Sequence, residues 1–120
     1  MREESSMLTV KDRDESGVKI FDLEGQIDGG PESEKLHEMI KKNLEKGQKM
    51  FILNMQYVRW LNSLGAGILI AAYASAKREE AILKLFGVSD RVGIVLKTSG
   101  LIPEVFEVFN NEKDALESFK

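Results

Sequence analysis

The chain has 120 residues, 17 Lys and Arg against 20 Asp and Glu, one histidine and no cysteine. A chain of this length forms one domain that buries roughly 65% of its unfolded surface, so it needs no staples. The missing cysteines exclude disulfides, thiolate metal sites and thiol nucleophiles, and the lone His37 excludes histidine clusters and weakens any triad. The net charge of −3 disfavours nucleic acid as a direct partner, because phosphate contacts need a clustered basic face.

The first six residues, Met1 to Ser6, are polar and read as a flexible N-terminus ahead of a domain over 7–120. Leu8 and Val10 alternate with Thr9 and Lys11, the period of a half-exposed strand, and Asp12 to Gly17 reads as a polar turn. Val18 to Leu23 is a second strand ending near Gly25, and the short loop makes the pair an antiparallel hairpin. Gly29-Gly30-Pro31 then opens a helix whose apolar stripe is Leu36, Met39, Ile40 and Leu44, with Lys46-Gly47 as its stop. His37 falls outside that stripe and reads as a surface residue.

Met50 to Leu53 is continuously apolar, as in a strand covered on both faces, and Tyr57, Val58 and Trp60 follow in the crossover. A helix from Ser63 to Arg78 comes next, then a strand from Ala81 to Phe86. Ser89 caps a third helix reaching Thr98, Val105 to Phe109 is a short strand, and Asn111 caps a final helix. Strands alternating with helices make this an α/β domain: a mostly parallel sheet of about four to five strands, an antiparallel N-terminal hairpin and about four helices.

The helix after Ser63 carries no charge from Leu64 to Ala74, a stretch of 11 residues. That is too short to cross a bilayer, and with no apolar leader at Met1 the expectation is a cytoplasmic protein without membrane insertion. A helix apolar all round is either covered on both flanks or keeps one side open for a partner. Gly65 and Gly67 point to close approach, either by a partner or by the helix's own sheet, since each costs about 1 kcal/mol inside a helix. Ser63 itself has two readings, a helix cap or a phosphorylation site at the positive end of the helix dipole.

Enzymatic chemistry finds little support. No Gly-Lys-Ser/Thr phosphate loop and no dinucleotide fingerprint is present. His37 sits mid-helix with no sign of an orienting carboxylate; Asp22 and Asp28 could pair in a carboxylate site, though exposed strand-end acids are far commoner. A phospho-accepting receiver domain needs an aspartate at the end of the central strand, where this chain has Asn54 and Met55. No catalytic, metal-binding or cofactor-binding residue is assigned.

Three segments carry a resemblance that covers about Leu8 to Phe119. They are Leu23-Glu24-Gly25-Gln26-Ile27-Asp28, Asn62-Ser63-Leu64-Gly65-Ala66-Gly67 and Ser99-Gly100-Leu101. In this order and spacing the chain resembles the STAS domain of bacterial anti-sigma-factor antagonists. Asn62 stands where an aspartate is common in that family, and Ala66 where a larger apolar residue is. The resemblance implies a non-enzymatic partner switch. The unphosphorylated protein would bind an anti-sigma factor that is also a serine kinase, freeing a sigma factor. Phosphorylation of Ser63 would end the binding, and a PPM-type serine phosphatase would restore it. The implied partner surface is Asp28, Asn62, Ser63, Leu64, Gly65 and Gly67 on a monomer or weak dimer. The alternative is a constitutive STAS scaffold subunit of a stress-signalling or lipid-transport complex.

Overall fold

The computed structural model of the chain describes residues 8–120, so the expected flexible stretch over 1–6 and the domain start at 7 lie outside the described residues. The elements run β1 (Leu8–Glu15), β2 (Val18–Ile27), α1 (Pro31–Glu45), β3 (Met50–Leu61), α2 (Ser63–Arg78), β4 (Ile82–Phe86), α3 (Asp90–Thr98), β5 (Val108–Phe109) and α4 (Glu112–Glu117). They form one five-stranded sheet in the order β1-β2-β3-β4-β5, antiparallel between β1 and β2 and parallel elsewhere. The predicted α/β architecture and element order are thus observed.

Because the strand order never reverses, right-handed crossovers put α1, α2 and α3 on the same face. Phe21, Phe51, Leu53 and Leu85 point into that layer, against Leu36, Ile40, Leu69, Ala72, Val92 and Leu96. Ile20, Ile52 and Phe86 point the other way, against Ala115 of α4 with Leu116 and Phe119. The continuous apolar run of β3 therefore fills both layers, as expected for a doubly covered strand. Lys84 fastens α4 to the sheet. Its Nζ donates to Ser118 Oγ at 2.8 Å and lies 4.4 Å from the Phe119 ring centroid.

Besides β2, which runs past Leu23 to Ile27, three boundaries differ from the sequence reading. The polar residues to Glu15 are strand, and only Ser16 and Gly17 turn, with φ of 53° and 85°. Positive φ at both positions is the two-residue turn whose twist matches a hairpin. The ladder pairs Lys11 to Glu15 with β2, and cross-strand charges reinforce it, Lys19 with Asp12 and Asp14, and Arg13 with Asp22 at 2.7 Å. At the other end, β5 is only Val108–Phe109, and Val105 precedes it outside the strand.

The third difference matters most for the site. β3 does not stop at Leu53. It pairs with β4 only to Asn54 but follows β2 as far as Leu61, so Tyr57, Val58 and Trp60 are strand residues rather than crossover. Two register shifts, between Asp22 and Glu24 and between Gly25 and Gln26 on β2, bend the ribbon. Asn54 serves the first of them: its Oδ1 accepts the Gln56 amide at 3.0 Å and its Nδ2 donates to Asp22 Oδ1 at 2.8 Å. Asp22 is thereby committed to Asn54 and Arg13, and the Arg13 hydrogen bonds hold its carboxyl below the usual carboxylate range. Asp28 shares none of these partners, so the conceivable Asp22–Asp28 carboxylate pair is not formed by them.

Candidate functional site

The extended β2–β3 ribbon delivers two chain segments to one place: the loop after Ile27 and the N-terminus of α2. Asn62 N–H reaches the Ile27 carbonyl at 3.4 Å. In the next turn Gly65 lies flat against the same peptide. A Cβ built there would stand 2.6 Å from the Ile27 carbonyl carbon and closer still to its oxygen. Gly29, at φ 85°, faces Leu64, and a Cβ on it would come within 2.6 Å of the Leu64 Cβ. Two glycines from distant parts of the sequence thus let the β2 loop and the start of α2 touch.

The loop is held from inside. Ser33, fully buried at the start of α1, accepts the Asp28 and Gly29 amides on its Oγ at 3.1 and 3.2 Å. Asp28 Oδ1 accepts the Gly30 amide at 2.9 Å, the side-chain turn that aspartate forms readily. Asp28 stays half-buried.

The cap of α2 is Asn62, not Ser63. Asn62 has extended backbone and its Oδ1 accepts the Gly65 amide at 2.8 Å, leaving Ser63 as the first helical residue. The capping reading of Ser63 is corrected accordingly, because an asparagine one position earlier already meets the third amide of the helix. Ser63 is exposed. Its own amide and that of Leu64 have no intrahelical carbonyl to bond. We expect Asn62→Ala to cost about 1 kcal/mol in thermal or urea unfolding, while Ser63→Ala stays within about 0.5 kcal/mol of the parent.

The apolar helix keeps one side open. Gly65, Ala66, Ile68, Leu69, Ala72, Ser75 and Ala76 are buried. Ser63, Gly67 and Ile70, at i, i+4 and i+7, are exposed, and Leu64 beside them is 68% exposed. Gly67 has nothing within 4 Å of where a Cβ would be, so it serves an open surface, whereas Gly65 serves internal packing. Of the six residues expected at the site, Ser63, Leu64 and Gly67 face solvent, Asp28 and Asn62 are half-buried, and Gly65 is buried. Sequence reasoning missed Gly29 and Ser33, which position the loop, and Ile70, which extends the open face. Ile70 alone had a legible signal, its helical spacing from Ser63.

Behind the site, His37 is not a plain surface residue. It is half-buried, and its Nε2 lies 2.9 Å from Oγ of the buried Ser75, tying α1 to α2. Arg78 Nη2 also donates to that hydroxyl at 3.3 Å, so a neutral His37 accepting from Ser75 completes the chain of donors. Burial, then the Lys41 cation, holds the imidazole below its ordinary value. The unfolded chain therefore takes up this proton first. The contribution of His37 is complete above about pH 6.5 and lost as pH falls towards its lower folded value. Unfolding free energy should drop between about pH 7 and 5 by an amount that His37→Gln abolishes.

Among the described residues, no helix is long and apolar enough to cross a membrane. Residues 9–115 match the STAS domain family. An anti-sigma-B factor antagonist from Listeria monocytogenes is 28% identical over 105 residues, covering 88% of this chain and 90% of that protein. The anti-sigma factor antagonist SpoIIAA in its unphosphorylated form superposes with a TM-score of 0.80 at 18% identity, covering 92% of this chain and 96% of that one. The Bacillus SpoIIAA in the phosphorylated form gives 0.73 at 17% identity, covering 93% and 100%. A sulfate transporter family protein from Wolinella succinogenes gives 0.69 at 28% identity, covering 87% and 85%. A match over residues 9–115, with the same fold in these structures, settles the family: the chain belongs to the STAS domain family.

Proposed function

We propose that the chain is an anti-sigma-factor antagonist that works as a phosphorylation switch in the cytoplasm, binding rather than catalysing. The unphosphorylated form binds an anti-sigma factor that is also a serine kinase and so frees a sigma factor. Phosphate on Ser63 ends that binding, and a PPM-type phosphatase restores it. Asp28, Asn62, Ser63, Leu64 and Gly67 form or frame the contact surface, and Gly65 shapes it from below.

The observation that carries this reading is an exposed, non-capping serine at the first position of a helix whose open face is apolar. The hydroxyl is available to a kinase, and the fold does not depend on it. α1, α3 and α4 each have acids in the first turn, and α2 has none. A phosphate on Ser63 would supply about −1.5 to −2 charge where the helix dipole favours it. The same charge brought into a desolvated apolar contact is costly without a partner cation. The fold therefore tolerates the modification and the interface does not. Supporting it, the Listeria relative is an anti-sigma-B factor antagonist, and the anti-sigma factor antagonist SpoIIAA exists in unphosphorylated and phosphorylated forms.

The likeness to the Wolinella protein favours a second reading, a constitutive scaffold subunit of a larger assembly. Intact-mass and peptide mass spectrometry on protein from its native host, with phosphatase-treated controls, separates the two. Phosphate on Ser63 that changes with growth condition supports the switch. Its absence in every condition favours the scaffold.

A further inference from the structure

The two edges of the sheet are built differently. β1 presents exposed Lys11, Asp12, Asp14 and Glu15, alternating charges that discourage pairing with another strand. β5 is guarded only by its shortness and by Glu107 just before it, and it carries no charge of its own. The Leu85 amide donates to the Glu107 carbonyl and the Gly87 amide to the Phe109 carbonyl, both at 3.0 Å, so those two residues turn their backbone towards β4. By the alternation of a strand, the N–H and C=O of Val108 face the open edge.

Beside that edge runs an apolar groove between α3 and β5. Two adjoining cavities of about 360 and 330 Å³ share Lys97, Ile102 and Val108, and Ile94 lines one of them. Ile94 is 65% exposed and Val108 39%. Phe109 packs in the α4 layer, so Val108 next to it projects to the side of the sheet that carries α3.

The charges around this patch identify its occupant. Asp90, Ile94 and Lys97 stand at i, i+4 and i+7, one face of α3 with an acid at one end, an isoleucine in the middle and a cation at the other. A partner of uniform charge would meet a patch of mixed sign. A second copy related by a two-fold axis meets its complement, because each acid then faces a cation of the other copy.

We propose that this edge is a self-association surface. A two-fold axis normal to the sheet beside Val108 pairs β5 with β5 in antiparallel fashion, each Val108 exchanging N–H···O bonds with its mate. The same axis lays α3 antiparallel to its copy, Ile94 on Ile94 and Asp90 opposite Lys97 of the partner subunit. One helix face and a two-residue strand bury less than the ~1,200 Å² of a standard interface, so the dimer is weak. Neither cavity is lined by Ser63 or the open face of α2, which leaves that face free in the dimer.

Sedimentation equilibrium of the full chain from about 10 μM to about 1 mM tests the surface. The average mass should rise from the 13.5 kDa of the monomer towards twice that value. Ile94→Glu and Val108→Lys should each weaken association by about tenfold or more, since each sets like charges across the axis. Lys97→Asp, which places acid against acid without touching the apolar residues, should do the same. Ile70→Glu on α2 should leave association unchanged. Circular dichroism checks that every variant is folded. A monomer at all concentrations, a dimer indifferent to the α3 and β5 variants, or one lost equally with Ile70→Glu overturns the proposal.

Discussion

Gly65→Ala should be the most damaging single-methyl change at the site. The added Cβ would collide with the Ile27 peptide, 2.6 Å from its carbonyl carbon, and neither the end of β2 nor the first turn of α2 can yield alone. Asn62 is tied to both, through its amide to the Ile27 carbonyl and its side chain to the Gly65 amide. Overpacking of this kind costs about 1–3 kcal/mol, and contact with rigid backbone belongs at or above the upper end. Gly67→Ala is the control. Its Cβ would meet nothing within 4 Å, and replacing glycine inside a helix should gain about 0.5–1 kcal/mol. Urea or thermal unfolding should therefore move in opposite directions for two identical substitutions two residues apart. Equal effects would mean that α2 does not lie against Ile27 as described.

That contrast marks where sequence reading stops. Both glycines look alike in Gly65-Ala66-Gly67, and both suggest close approach. Only the tertiary position of Ile27, far away in sequence, tells the packing glycine from the exposed one. The cap presents the same problem. Asn62 and Ser63 are adjacent and both competent, and the side chain that reaches the Gly65 amide is decided by how β3 feeds into the helix. Ser89 and Asn111 also stand beside competent neighbours, Asp90 and Asn110. Each caps as expected, accepting the amides of Val92 and Asp114.

The strands show the same division. β2, the first half of β3 and β4 were legible because burial on two faces forces apolar runs. The second half of β1 was not, because an edge strand with solvated side chains can be Lys-Asp-Arg-Asp-Glu and still complete its ladder. The far half of β3 was hidden by its bulges. Two extra residues break the period-two pattern, so Tyr57, Val58 and Trp60 read as crossover. That hidden extension is what carries the chain to Ile27. The loop motif names the candidate residues, whereas the reason these segments meet was not legible.

Ser63 variants should separate fold from binding more sharply than any other substitution here. Ser63→Asp puts an acid at the first position of a helix that has none in its first turn, so stability should hold or rise by about 0.3–1 kcal/mol. Phosphoserine at the same place should behave alike. On the proposed function, affinity for the anti-sigma partner should nevertheless fall by about 100-fold, equivalent to about 2.7 kcal/mol, because that charge would enter the proposed contact around Leu64, Gly67 and Ile70. Ser63→Ala should keep both stability and affinity, since Asn62 rather than Ser63 satisfies the helix end. It should also resist inactivation by kinase and ATP. Paired calorimetric titration and melting curves give both quantities on the same samples. Unfolding of Ser63→Asp would show that the first turn cannot carry the charge. Undiminished affinity in a folded Ser63→Asp or phosphorylated protein would place the partner elsewhere on the molecule.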